Sequence, residues 1–375
     1  MKVLINLSTI KKGGGQNVAL NFLYDLFNSS YNHDFVFLVV KNSEIHKFLL
    51  KENNAKILFT VGNPFLRIFY ELFKFSWLLK KSKIDIIYTY FGYGLFINNI
   101  PQVCGVAASN IFYPEIKFWK GNFINVILKR LIDRYRIYGI KRAEALIFEN
   151  KYMEERSHTL FHIDPGKTCY IPPSYNPDFG EEVLNCSVLR EGGVKILMLC
   201  GWQRNKNILE VPEIAYYLRK YSHSQFKFII TAPLDGSGEY KIFKKLVEKY
   251  DVYDMISIIG PVAKSRLKSL YEQIDFVLLL SKLESFSNNI IESWLFGKPL
   301  IISNEKWAKS ICGEAAYYVD RDNVREISSA IVKLQNSNDI ISKLTYNGSE
   351  KLYKYPSITQ RTKLEISFLE KFYRK

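Results

Sequence analysis

Short apolar runs alternate with amphipathic stretches along the whole chain, and this alternation constrains the fold more than any other feature of the sequence. The runs are too brief for buried helices and rich in Val, Ile, Leu, Phe and Tyr, so they read as buried strands. Strands separated by helix-length segments make parallel sheets covered on both faces. In the first half the expected strands are Val3 to Leu7, Phe35 to Val40, Ile57 to Thr60, Ile84 to Tyr90, Gln102 to Ala107, Ala145 to Phe148 and Thr168 to Ile171. Helices are expected near Gln16 to Phe27, Pro64 to Lys81, Asn122 to Tyr138 and Met153 to Phe161.

The alternation stops at Ile171-Pro172-Pro173-Ser174-Tyr175-Asn176-Pro177-Asp178, a cluster of prolines and turn formers, and restarts after Glu191-Gly192-Gly193. Expected strands then follow at Lys195 to Cys200, Lys227 to Thr231, Ile256 to Ile259, Phe276 to Leu280, Leu300 to Ile302 and Tyr317 to Val319. The helices between them fall near Ile208 to Tyr221, Tyr240 to Lys249, Ser265 to Glu272, Asn288 to Phe296 and Val324 to Leu334, with a last one from Asp339 to the end. A chain of 375 residues also exceeds what one hydrophobic core organises. The expected fold class is therefore α/β, with two Rossmann-like doubly wound domains facing a cleft. The first spans 1–178, the second 179–350, and a C-terminal helix at 351–375 packs back on the first. Such domains take ligands at the carboxyl ends of their strands, so function belongs in the loops that follow strands.

The apolar run that opens the chain is too short for a signal peptide, and no stretch is long and apolar enough to span a membrane. Five scattered cysteines, without a C-x-x-C pair, suggest neither a disulfide framework nor a zinc site. These features lead us to expect a cytoplasmic protein. The net charge of +15 favours anionic partners. Most of the excess lies in Phe65 to Lys83 and Lys117 to Arg142, where cations interleave with large apolar residues, as in Phe65-Leu66-Arg67-Ile68-Phe69-Tyr70. That composition suits amphipathic helices docking on an anionic membrane face, against the alternative of helices that merely pack on a sheet. A basic nucleic-acid-binding protein is the reading that charge alone would support, but no recognised nucleic-acid motif accompanies it.

Three loops carry candidate chemistry. Lys11-Lys12-Gly13-Gly14-Gly15-Gln16 follows the first strand and leads into a helix, so its backbone can approach an anion at a helix N-terminus, or it is simply a tight turn. In the second half Gly201-Trp202-Gln203-Arg204-Asn205-Lys206-Asn207 places Arg204 and Lys206 where they can neutralise a diphosphate. The third is Ser281 to Glu292, where Glu284 precedes a helix whose expected N-cap is Ser287 and whose first amides are those of Asn288 and Asn289. Glu292 lies inside that helix after an apolar pair, an odd place for a carboxylate unless it meets a polar ligand. Asp320-Arg321-Asp322 has the D-x-D form of a metal grip but reads as a solvated turn, and His158 with His162 lacks a third ligand. No metal site is expected.

Leu283-Glu284-Ser285-Phe286 through Glu292, followed by Gly297-Lys298-Pro299, resembles the E-x7-E signature of retaining glycosyltransferase family 4, which has the GT-B fold. Arg204-Asn205-Lys206-Asn207 resembles the family's basic loop, Ile259-Gly260-Pro261-Val262 with Leu270-Tyr271 its nucleotide-base segment, and Cys312-Gly313-Glu314-Ala315-Ala316-Tyr317 its later turn. The first-domain glycines, Gly14 and Gly15 among them, resemble its glycine loop. The resemblance implies that Glu284 contacts the transferred sugar, Glu292 the ribose and Lys206, with Arg204, the diphosphate. Ser285, Phe286, Ser287, Asn288 and Asn289 would complete the donor side. Trp202 stands where the family often has arginine, Ser287 where it has glycine, and only Ser109 and Asn110 lie where it has a first-domain histidine. The expected activity is retaining, metal-independent transfer of a hexose or N-acetylhexosamine from a nucleotide-diphosphate sugar to a glycan acceptor, without a cofactor. Its setting would be lipopolysaccharide or polysaccharide assembly, with a lipid-linked acceptor at the inner membrane face. A nucleotide-sugar epimerase of the same fold is the alternative enzyme.

Overall fold

A computed structural model describes all residues except 11–13, 53, 64–65, 68, 70–72, 74, 98–99, 117–122, 176–178 and 374–375. Lys11, Lys12 and Gly13 of the glycine loop, Lys117 and Lys120 of the second basic segment, and Asn176-Pro177-Asp178 of the expected linker lie outside the described residues. The chain divides into two compact units: Met1–Tyr175 joined by Pro356–Lys375, and Asn176–Tyr355.

The first unit is built on a seven-stranded sheet: β1 (Lys2–Asn6), β2 (Asp34–Val40), β3 (Lys56–Thr60), β4 (Ile86–Thr89), β5 (Gln102–Val106), β6 (Ala145–Phe148) and β7 (Thr168–Tyr170), in the order β3-β2-β1-β4-β5-β6-β7. Every pairing is parallel, with Val3 opposite Phe35 on one side and Ile86 on the other. Successive strand residues face opposite ways. Val3 and Ile5 accordingly pack in one core with Phe22 and Leu23 of the helix Gly14–Asn28. Leu4 packs in the other with Phe75 and Leu79. The last helix, Ile358–Phe372, returns to this unit and places Ile366 and Leu369 in the first of those cores.

The second unit repeats the plan with β8 (Val194–Met198), β9 (Phe226–Ile230), β10 (Ile256–Ile258), β11 (Phe276–Leu279), β12 (Leu300–Ser303) and β13 (Tyr317–Val319), in the order β10-β9-β8-β11-β12-β13. In each sheet the order reverses between the first strand and the fourth, between β1 and β4 and between β8 and β11. At such a switch point the loops leaving the two neighbouring strands diverge and open a crevice at their carboxyl ends.

The helices depart from expectation in two places. The stretch from Asp339 onward is two helices, Asn338–Leu352 and Ile358–Phe372, because Pro356 disfavours helical backbone at Tyr355 and Ser357 then starts a capping box with Gln360. The helices Glu44–Leu49 and Lys306–Cys312 were not expected, being shorter than the window over which helical periodicity shows. Of the expected helix Pro64 to Lys81, residues 64–65, 68, 70–72 and 74 lie outside the described residues, and the described residues from Leu66 to Lys81 are helical.

Candidate functional site

The loops after β8 and β11 meet at the switch point of the second unit. Arg204–Lys206 forms a single 3-10 turn, closed by Asn207 in the left-handed conformation (φ 58°), which asparagine tolerates better than most residues. Asn205 joins this turn to the second loop. Its side-chain oxygen accepts the Leu283 N–H (3.1 Å), its amide donates to the Leu283 carbonyl (2.8 Å), and its own carbonyl accepts the Lys282 N–H (2.9 Å). From the other side Ser303 donates to the Ser281 carbonyl (2.6 Å) and the Trp307 indole to that of Lys282 (3.2 Å).

These bonds bring Lys206 and Glu284 together. The Lys206 Nζ donates to Glu284 Oε1 at 2.6 Å, with both side chains 18 % exposed. The pair is thus largely withdrawn from water yet open to a ligand. Arg204 points elsewhere: its guanidinium pairs with Glu239 at 3.1 Å and is 66 % exposed. Trp202, in the position where the family often has arginine, forms a wall. Its indole donates to the Pro233 carbonyl (2.6 Å) and its ring packs on Tyr240 and Phe243.

Ser287 occupies the N-cap position of the helix Asn288–Leu295, but its hydroxyl makes no capping hydrogen bond, contrary to expectation. It is buried, and the helix start is fixed by other means: the Asn289 side chain donates to the Leu199 carbonyl (2.9 Å) at the end of β8. The first amides of a helix have no intrahelical acceptor, so the start of this one presents donors beside the Lys206–Glu284 pair. Ser285 and Asn288 are half-buried, and the Phe286 ring, also half-buried, lies 6.0 Å from that of Tyr355. Glu292 is buried and accepts the Tyr271 hydroxyl at 3.0 Å. Burial pushes its carboxyl up to about 7, against the opposing pull of that hydrogen bond and of Lys264.

In the first unit Gly14 begins the helix Gly14–Asn28 and Gly15 follows beside Phe91, where a Cβ would meet the ring at an ordinary 3.6 Å. Ser109 and Asn110 lie in the turn Ser109–Ile111 after β5. The Asn110 amide is committed to Asp133 (2.8 Å), which also takes Arg136 (3.1 Å). Among the described residues no group of three His, Cys, Asp or Glu side chains is placed to hold a metal ion.

Three residues of these segments act through contacts that the sequence does not disclose. Asn205 sits between the two cations and is overshadowed by them. Arg321, inside the D-x-D triplet, is buried and donates to the Asn205 carbonyl (3.1 Å), while its own carbonyl receives the Asn207 amide (2.7 Å). The triplet therefore braces the Lys206 turn with its middle residue while both aspartates stay exposed. Tyr271 was assigned by resemblance to the nucleotide-base segment, yet it is fully buried with its hydroxyl on Glu292.

Solved structures share this fold along the whole chain. A glycosyltransferase from Rickettsia africae superposes with a TM-score of 0.72 at 17 % identity, covering 99 % of this chain and 98 % of that one. Sucrose-phosphate synthase from Thermosynechococcus elongatus gives 0.76 at 15 %, with coverage of 99 % and 98 %. The Anabaena protein HepE, solved with UDP and glucose, gives 0.70 at 13 %, with coverage of 99 % and 100 %. No curated protein matches the chain by sequence. The chain thus has the two Rossmann-like units of the GT-B glycosyltransferase fold, and residues 184–351, which carry Lys206, Glu284 and Glu292, match the model of the glycosyl transferases group 1.

Proposed function

We propose that this protein is a retaining glycosyltransferase that moves a hexose or N-acetylhexosamine from a nucleotide-diphosphate sugar to a glycan acceptor. The observation that carries the reading is the Lys206–Glu284 pair, held by Asn205 beside a helix start at a switch point. A nucleotide sugar needs a cation and amides for its diphosphate and carboxylates for its hydroxyls, and both kinds of group converge there. That HepE was solved with UDP and glucose agrees with such a ligand. In the reaction the bond from the anomeric carbon to the diphosphate breaks and a bond to the acceptor oxygen forms on the same face. The acceptor proton leaves with the diphosphate. Lys206 and the amides of Asn288 and Asn289 stabilise the departing charge, Glu284 holds the sugar and Glu292 the ribose. Arg204 is the reserve cation, reaching the diphosphate only after leaving Glu239. A thermal-shift panel of nucleotide sugars tests donor binding. Release of nucleoside diphosphate only when a saccharide is added separates transfer from epimerisation.

Charge stabilisation by Lys206 and amides requires no divalent ion. Activity therefore persists in excess EDTA. Full loss on chelation, restored by manganese, would overturn this reading and return attention to Asp320 and Asp322.

The acceptor fits a lipid-linked saccharide held at an anionic membrane surface, as in lipopolysaccharide or polysaccharide assembly on the inner face of a cell membrane. The helix Phe123–Arg142 buries only Gly139 and Ile140 and leaves Phe123 (79 % exposed), Ile124, Ile127, Leu128 and Leu131 along one exposed face, with Arg130 and Arg134 at its edge. Leu66, Phe69, Phe73 and Trp77 are likewise exposed, and the two segments are linked where Arg67 bonds the Tyr93 hydroxyl (2.6 Å) and Tyr93 packs edge-on to Tyr135 (5.1 Å). No helix among the described residues is long and apolar enough to cross a membrane, so docking would be peripheral. Each surface cation contributes about 1 kcal/mol toward an anionic bilayer. Changing Arg130→Gln with Arg134→Gln should weaken flotation with anionic vesicles by at least about tenfold and leave the weaker binding to neutral vesicles unchanged. Unaltered flotation would reduce these helices to packing elements.

A further inference from the structure

Glu292 stands out in the second unit as a buried acid inside a helix. Its Oε2 accepts the Tyr271 hydroxyl at 3.0 Å, and its Oε1 accepts no hydrogen bond among the described residues. Tyr271, on the helix Leu267–Glu272, cannot swing away: its ring stacks on Phe296 (4.8 Å, 21° between planes), which meets Phe179 edge-on (5.2 Å). The phenol is therefore fixed behind the carboxylate, and the residue is too deeply buried to stack on a nucleotide base.

We propose that Tyr271 is a positioning residue for donor binding, its clamped hydroxyl holding one oxygen of Glu292 so that the other accepts the ribose hydroxyls of the nucleotide sugar. The inference rests on the ribose-side reading of Glu292 given above. A single carboxylate oxygen grips a diol well only if the group is ionised and its rotation is stopped, and a phenol donor does both. Two other groups bear on Glu292: Tyr271 on the neighbouring helix and Lys264 in the turn before it, whose ammonium lies 5.4 Å from the Phe179 ring centroid. Burial raises Glu292, and the phenol's hydrogen bond together with Lys264 holds that rise to about 7, so the group is charged above neutrality. The sign follows directly. If the donor binds the carboxylate form, affinity is full above about pH 7 and falls about tenfold per pH unit below it.

The experiment is calorimetric titration of the full chain with UDP-glucose and GDP-mannose, following whichever binds more tightly, from about pH 5.5 to about pH 8.5, a window in which neither sugar nucleotide changes charge. In Tyr271→Phe the acid limb should move up by about one pH unit, so that affinity at neutrality drops about fivefold while the wild-type value returns at the alkaline end. Glu292→Gln should bind weakly with no limb at all. A Tyr271→Phe limb coincident with that of wild type, or an equal loss at every pH, would overturn the positioning role while leaving Glu292 in place. A flat wild-type profile together with unimpaired binding by Glu292→Gln would instead remove the ribose-side reading, and the inference with it.

Discussion

Lys206→Ala should lower kcat for sugar transfer by about two to three orders of magnitude, the effect of deleting a group that meets charge developing in the transition state. The loss should fall mainly on kcat, because the charge that Lys206 offsets grows as the anomeric carbon parts from the diphosphate. Glu284→Ala should be comparably damaging by a different route, loosening the sugar so that fewer bound donors lie in reactive geometry. The two cannot be independent, since Lys206 Nζ and Glu284 Oε1 stand 2.6 Å apart before any donor arrives. The double variant should thus lose far less than the product of the two single losses. The pair is 18 % exposed on each side, so a widowed partner keeps access to water and the fold should survive either change. Near wild-type kcat in both single variants, with unchanged thermal midpoints, would remove this pair from the site.

Much of this was legible in the chain. β1 could be read because Val3-Leu4-Ile5 is apolar on both faces, as a strand covered by helices on both sides must be. The loops after β8 and β11 could be read because glycine, cations and carboxylates interrupt apolar runs there, and at a switch point such interruptions face ligand. What stayed hidden depends on partners distant in sequence. Asn205 matters through Leu283, Arg321 through Asn205, and Tyr271 through Glu292, and no local pattern reports those pairings. Ser287 shows the converse limit. Its position and residue type predict a cap, but a hydroxyl can do without a bond that the surrounding turn does not require.

The most deeply hidden feature is also the one with the largest expected effect on stability. Arg361 and Glu365, four residues apart on the helix Ile358–Phe372, are both buried. Arg361 Nε donates to Glu365 (2.8 Å) and Nη1 to Glu149 (2.7 Å) in the turn after β6, next to Asn150, which caps the helix Lys151–Phe161. The C-terminal helix is thus fastened to the carboxyl end of the first sheet by one guanidinium between two carboxylates. Arg361→Met would leave both acids buried without their cation, a loss of about 3–5 kcal/mol. In a unit of this size that corresponds to a fall of roughly 10 °C in its thermal midpoint. The pH dependence has a definite sign. Burial already raises the Glu365 carboxyl and Arg361 opposes that rise, so without the arginine this folded-state acid titrates well above its unfolded value. The folded variant then holds a proton that the unfolded chain has released. Its stability falls as pH rises from the unfolded carboxylate range toward the raised folded value, and the gap from wild type widens from mildly acidic to alkaline solution. Combining Arg361→Met with Glu149→Leu and Glu365→Leu removes the orphaned charges and should recover most of the loss. If Arg361→Met melts with wild type at both ends of that range, the buried triad does not fasten the helix.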